Sequence, residues 1–120
     1  MKKILIEFYS GRTPENLISM LNERFDRVFF LYASKACAPS HRRKAALSRL
    51  VEKLFGFSPS FREIEHLSIS SALAALERLW ENGWEYTIDI TGGDEAFIAA
   101  AGIFSQRRLL GALLTFNGLS

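Results

Sequence analysis

A regular alternation of two kinds of segment limits the possible folds of this chain more than any other feature. Short, nearly continuous apolar runs alternate with longer segments whose apolar residues recur at helical spacing. A continuous apolar run is typical of a strand that is buried on both faces, as in a parallel sheet covered by helices. We therefore predict strands at residues 4–9, 28–32, 61–67, 84–91 and 110–116, with a helix between each pair. Residues 61–67 are charged rather than apolar, which suits a strand at the edge of the sheet.

The order β-α-β-α-β-α-β-α-β predicts an α/β fold, specifically a Rossmann-like three-layer sandwich. The sheet is expected to be five-stranded and mostly parallel, in the order 3-2-1-4-5, with right-handed connections and helices on both faces. The chain has 120 residues, enough for one core, so residues 1–120 are predicted to be a single domain. The sequence stops just after the last predicted strand, which leaves open that it is the amino-terminal part of a longer protein.

Composition excludes several classes of protein. The formal net charge of +2, from 15 basic and 13 acidic side chains, is too small for a surface that coats nucleic acid. Cys37 is the single cysteine, so no internal disulfide can form. The first apolar run is interrupted by Glu7 and lacks a signal-peptide cleavage site, and no run reaches the roughly 18 apolar residues of a membrane span. We therefore expect a cytoplasmic protein with no membrane partner.

Two turns stand out as candidates for ligand binding. In an open parallel sheet, ligands bind beyond the carboxyl ends of the strands where the strand order reverses, which here lies between the first and fourth strands. Each turn there leads into a helix, where free amides and the helix dipole favour an anion, and its glycines allow a ligand to approach the backbone. The candidate ligand-binding residues are Ser10, Gly11, Arg12, Thr13, Thr91, Gly92, Gly93 and Asp94.

Each turn taken alone is also compatible with an ordinary strand-to-helix connection, and it is their meeting at one point that favours a site. The P-loop and dinucleotide-binding glycine motifs are absent, so we expect no nucleotide cofactor of those classes. His41 and His66 lack metal-ligand spacing, so we expect no metal site. The basic cluster at residues 41–44 is interpreted as the solvated face of a helix, with a rim over the site as the alternative. Asp89, inside the fourth strand, is expected either to tie the two turns together or to face a polar strand end.

Several of these residues resemble a known family. The segments at residues 6–9, 13–18 and 27–31, followed by Asp89-Ile90-Thr91-Gly92-Gly93, are similar to CRISPR-associated Rossmann-fold (CARF) sensory domains. The likeness covers almost the whole chain and is greatest to the amino-terminal half of two-domain CARF–nuclease effectors. Many members of the family have Thr-Lys after the two glycines, where this chain has Asp94-Glu95. Carboxylates repel phosphate, so this departure bears on the ligand more than on the fold.

The resemblance implies a homodimer in which a cyclic oligoadenylate lies across the two-fold axis, over the two turns of each subunit. It also implies a carboxy-terminal, nuclease-like effector domain that receives the signal. The leading interpretation is thus a sensor of a CRISPR antiviral second messenger, with no catalytic residue assigned. One alternative is a ring nuclease that cleaves the bound ligand without a metal, using Ser10, Arg12, Thr13 and Lys35. Another is a dimerisation module with a vestigial pocket. Ten phenylalanines and two tryptophans further suggest that aromatic side chains are exposed at an interface.

Overall fold

The structure is a computed structural model that describes residues 2–9, 13–33, 39–108 and 112–115. Predictions that concern Ser10, Gly11, Arg12, Lys35 and Cys37 lie outside these residues. Within the described ranges the chain forms, in order, β1 (Lys2–Phe8), α1 (Thr13–Asn22), β2 (Arg27–Ala33), α2 (His41–Phe55), β3 (Ser60–Ile64), α3 (Ile69–Leu79), β4 (Trp84–Asp89), α4 (Glu95–Arg107) and β5 (Ala112–Thr115).

The strands form a parallel sheet in the order β3-β2-β1-β4-β5. β1 lies between β2 and β4, so that Ile6 pairs with Phe29 on one side and with Ile88 on the other. The predicted parallel α/β sheet is therefore confirmed. Its order is 3-2-1-4 for the four strands whose side chains the structure describes. Beyond them, the backbone of β5 pairs with the outer edge of β4. β3 lies at the opposite edge, where Arg62 and Glu63 are exposed, as its charged sequence predicts.

Alternate residues of the central strands pack into separate cores on the two faces of the sheet, because successive side chains of a strand point in opposite directions. From β1, Ile4, Ile6 and Phe8 join the core covered by α3 and α4, whereas Leu5 and Tyr9 join the core covered by α1 and α2. The helices α3 and α4 contribute small buried residues to the first core, and these residues let both helices lie close to the sheet. These contacts form the three layers of the predicted sandwich.

The ends of the helices follow signals that the sequence contains. The side chain of Ser40 accepts a hydrogen bond from the Arg43 amide at the start of α2. Gly56 ends α2 with a φ of 82°, a left-handed conformation that favours glycine, as predicted. Ser68 caps α3 in the same way as Ser40 caps α2. In the described part of the chain, no helix has both the length and the apolar character needed to cross a membrane.

The expectation of exposed aromatic side chains is wrong for the described residues. No phenylalanine or tryptophan among them is exposed, because the rings pack against each other and under basic side chains. Trp80, for example, stacks on Tyr86 with 4.7 Å between ring centroids and lies beneath the Arg108 guanidinium. The exposed large apolar side chains are aliphatic instead: Leu21, Leu54, Leu67, Ile69, Ile98 and Ile103.

Candidate functional site

The structure brings the carboxyl ends of β1 and β4 side by side. The two strands are neighbours in parallel register, and Glu7 on β1 is paired with Asp89 on β4 where the ladder ends. The helix after β1 covers one face of the sheet and the helix after β4 covers the other, so this is the point where the strand order reverses. Thr13 begins α1, although its side chain is outside the described residues.

The turn after β4 is held by the side chain of Asp89, which is only 2% exposed. Its Oδ1 accepts a hydrogen bond of 2.9 Å from the Thr91 amide, and its Oδ2 accepts one of 2.5 Å from the Ser19 hydroxyl. Ser19 lies on α1, the helix that follows the first turn. Asp89 therefore connects the second turn to the helix of the first, and this explains why β4 ends two residues earlier than the sequence suggests.

Gly93 is required by the packing of the protein itself. The Gly93 amide donates to the Ile90 carbonyl at 3.2 Å, which closes a tight turn. A Cβ atom at Gly93 would lie 2.5 Å from Cδ2 of Phe97, whose side chain is fully buried in the core below. The sequence interpretation assigned this glycine to the approach of a ligand. The structure shows that the core needs it whether or not a ligand is bound.

Asp94 is the N-cap of α4. Its Oδ1 accepts a hydrogen bond of 3.0 Å from the Phe97 amide, and Glu95 adds a second carboxylate in the first turn. Both negative charges suit the positive end of the helix dipole. This capping role explains the Asp-Glu pair that departs from the family pattern, because the acid satisfies an amide that would otherwise be available to an anion.

Sequence reasoning missed Glu7 as a member of this site. Its side chain is 2% exposed and lies in register with Asp89 on the neighbouring strand. Burial, followed by the negative charge of Asp89, raises the pKa of Glu7 well above its ordinary value. The signal was present as a single carboxylate within an apolar run, but only the strand pairing shows that a second carboxylate lies beside it.

The basic cluster of α2 is largely a solvated face, as the sequence analysis prefers. His41, Arg42 and Arg43 are exposed. Lys44 is half-buried, and its Nζ donates to the Tyr32 hydroxyl at 3.1 Å while lying over the Tyr32 ring. That lysine thus fixes α2 to the sheet, and its charge is already engaged there.

A cavity of about 580 Å³ lies at the opposite edge of the sheet, where the strands begin, between the carboxyl ends of α1 and α2. Its charged groups already serve the fold: Glu23 pairs with Lys3 at 2.5 Å, and Asp26 accepts from the Lys3 amide at 2.8 Å. The exposed Leu21 and Leu54 line the same cavity. This cavity is therefore a weaker candidate for an anion site than the carboxyl edge, because it lies at the carboxyl ends of helices rather than at their N-termini.

Comparison with known proteins gives a match in structure and none in sequence. No protein-family model matches the chain, and no curated protein sequence matches it. Among solved structures it is similar to Can2 from Sulfobacillus thermosulfidooxidans in complex with cyclic tetra-adenylate (cA4), with a TM-score of 0.74 and 14% sequence identity. The match covers 97% of this chain but only 32% of Can2, so the chain spans about a third of the length of that protein. This likeness shows that the chain has the same fold as the matched part of Can2, and it agrees with the resemblance found in the sequence.

Proposed function

We propose that this domain binds a cyclic oligoadenylate at the carboxyl ends of β1 and β4 and acts as a sensor in CRISPR antiviral signalling. The observation that supports the proposal is the pairing of Glu7 with Asp89, because it puts the ends of β1 and β4, which precede the two candidate turns, side by side. Each turn precedes a helix, and amides at the start of a helix favour phosphate. Can2, which has this fold, has been solved with cyclic tetra-adenylate bound, and that ligand is the first to test.

The proposed contacts come from both turns. Ser10, Gly11, Arg12 and Thr13 form the first set, with Arg12 as the forked cation suited to phosphate. Thr91, Gly92, Gly93 and Asp94 form the second set. Since Asp94 caps α4 through one carboxylate oxygen, we expect it to meet the ligand as an acceptor, towards a ribose hydroxyl or an adenine amine, rather than at a phosphate.

A cyclic oligoadenylate can have two-fold symmetry, and we propose that two copies of this domain share one ring. Exposed aliphatic side chains support a surface for the second copy: Leu67 and Ile69 lie at the start of α3, and Ile98 lies in the first half of α4. Both helices begin at the carboxyl edge of the sheet, the same edge as the candidate turns. Burying these side chains against a second copy would place the two sites near the symmetry axis.

Titration calorimetry with cyclic oligoadenylates of several ring sizes tests the proposal. We expect one ring size to bind with a stoichiometry of one ring for two chains. Chromatography of the ligand recovered after the titration separates a sensor from a ring nuclease, since cleavage would produce linear oligoadenylates. Absence of heat with every ring size would refute the sensor function and favour a dimerisation module with a vestigial pocket.

Replacement of Arg12 by alanine tests the site within the same experiment. Loss of one charge-assisted hydrogen bond costs about 1.5–3 kcal/mol, so we expect Arg12→Ala to bind roughly ten- to a hundredfold more weakly. Arg43→Ala is the matched control, because Arg43 is an exposed arginine near the start of the next helix. A loss of affinity in Arg43→Ala but not in Arg12→Ala would move the site to the basic face of α2.

The signal is proposed to pass to a carboxy-terminal effector domain. In support, the chain matches only 32% of Can2, whose remaining length has no counterpart here.

A further inference from the structure

Two carboxyl groups meet beneath the second candidate turn. Glu7 and Asp89 are paired across β1 and β4, and each is 2% exposed. Both point to the side of the sheet that α1 covers: Glu7 alternates with Ile6 and Phe8 of the other core, and Asp89 reaches Ser19 on α1. Two acids are therefore held together inside the protein, immediately below the Thr91–Gly93 turn.

The hydrogen bonds of the two groups are unequal. Asp89 accepts from the Ser19 hydroxyl and from the Thr91 amide, and such donors stabilise the charged form of a carboxyl group. Glu7 lies in register beside Asp89, and its Oε2 is buried with no hydrogen-bond partner among the described residues. A buried carboxylate oxygen without a donor is costly, whereas a protonated carboxyl group can donate to its neighbour. Of the two groups, Glu7 is therefore the one better placed to carry a proton, which it can donate to Asp89.

The surroundings of Glu7 agree with this assignment. On the same side of the sheet, β2 presents Phe30 in register with Glu7, and α1 presents the uncharged Ser19. Tyr9, directly after β1, packs into the same core. Among the described residues, the charge that acts on Glu7 is that of Asp89, and it raises the pKa of Glu7 in the same direction as burial does.

We infer that Glu7 is a positioning residue for the proposed ligand site: its carboxyl proton is donated to Asp89, and this bond holds Asp89 against the Thr91 amide and the Ser19 hydroxyl. Removal of that proton places two negative charges side by side, and the repulsion displaces Asp89 from the turn. The link between Glu7 and the turn is independent of any ligand, whereas its effect on cyclic oligoadenylate affinity rests on the function proposed above.

Nuclear magnetic resonance of the ligand-free protein tests the link directly, in a titration from about pH 4 to about pH 10. In the wild type we expect the side-chain carboxyl carbon of Glu7 to titrate well above the ordinary glutamate range. The Thr91 amide should shift in the same transition, because it donates to Asp89. In Glu7→Gln, which stays neutral and retains a donor, the Thr91 transition should disappear. Glu85→Gln, which removes an exposed carboxylate from the same strand as Asp89, should retain it.

Two results would overturn the inference. One is a Glu7 carboxyl carbon that titrates in the ordinary range, which needs only the wild-type protein. The other is a Thr91 transition that persists unchanged in Glu7→Gln.

Calorimetry with cyclic tetra-adenylate then separates this inference from the proposed function. Above the Glu7 transition we expect the wild type to bind about tenfold more weakly than below it, and Glu7→Gln to bind equally at both pH values. An equal alkaline loss in both proteins would contradict the positioning role. If the wild type binds no ring at any pH, the proposed function fails, and the Thr91 titration alone decides whether Glu7 positions the turn.

Discussion

Replacing Glu7 by glutamine is expected to remove a pH dependence from the stability of the fold. In the folded chain, burial and Asp89 raise the pKa of Glu7 well above the ordinary value of 4.5, to which it returns on unfolding. Between these two values the folded state holds one more proton than the unfolded state. The free energy of unfolding therefore falls as the pH rises, by about 1.4 kcal/mol for each pH unit in that interval. Glutamine does not titrate, so Glu7→Gln lacks this decline.

The size of the effect makes it measurable. Within the interval, each pH unit costs the wild type about 1.4 kcal/mol relative to Glu7→Gln. Such a loss can be resolved against the roughly 5–15 kcal/mol that typically stabilises a small domain. Urea denaturation of both proteins at several pH values measures it, and the difference between the two curves cancels the contribution of every other titrating group.

Glu85→Gln serves as the control, since it removes an exposed carboxylate from β4 and should follow the wild-type curve. Parallel curves for the wild type and Glu7→Gln would refute the reasoning, because they would mean that Glu7 has the same proton affinity in the folded and unfolded chains. A wild-type stability that falls relative to Glu7→Gln as the pH is lowered would refute it as well, since that is the sign of a lowered pKa.

Two further predictions follow from packing and exposure. Gly93→Ala should destabilise the fold by about 1–3 kcal/mol, because the new Cβ would overlap Phe97, whereas Gly102→Ala has open space and should be neutral or stabilising in thermal denaturation. Equal melting temperatures for the two variants would contradict this. Ile98→Glu should weaken the proposed dimer in light scattering at micromolar concentration, while Leu21→Glu, at the opposite edge, should not. The reverse result would move the interface to the edge where the strands begin.

Much of the fold was predictable from local patterns. The buried strands appear as apolar runs because both of their faces are covered, and the helices appear through their spacing and their caps, such as Ser68. Gly56 marked the end of α2 because few other residues adopt its positive φ. These signals depend on neighbours in the sequence, so the parallel α/β class followed from them. The exposure of aromatic rings did not, because it depends on which basic and aromatic side chains meet in space.

The candidate site also has features that the local sequence predicts and features that only the packing of the protein sets. The rule for parallel sheets predicts that the segments after the first and fourth strands lie at the same edge. The structure shows that those strands, β1 and β4, are neighbours. The role of Gly93 could not be found, because it is set by the ring of Phe97, which reaches the turn only once α4 is packed on the sheet.

The sequence by itself determined that this chain alternates strands and helices, and it predicts an anion-binding site after the first and fourth strands. Only the tertiary structure decided that Glu7 and Asp89 would share one buried environment. They are far apart in the chain, and their meeting depends on the register of β1 against β4. The physical reason is that the proton affinity of a carboxyl group depends on burial and on neighbouring charge, and both are properties of the packed protein rather than of its local sequence.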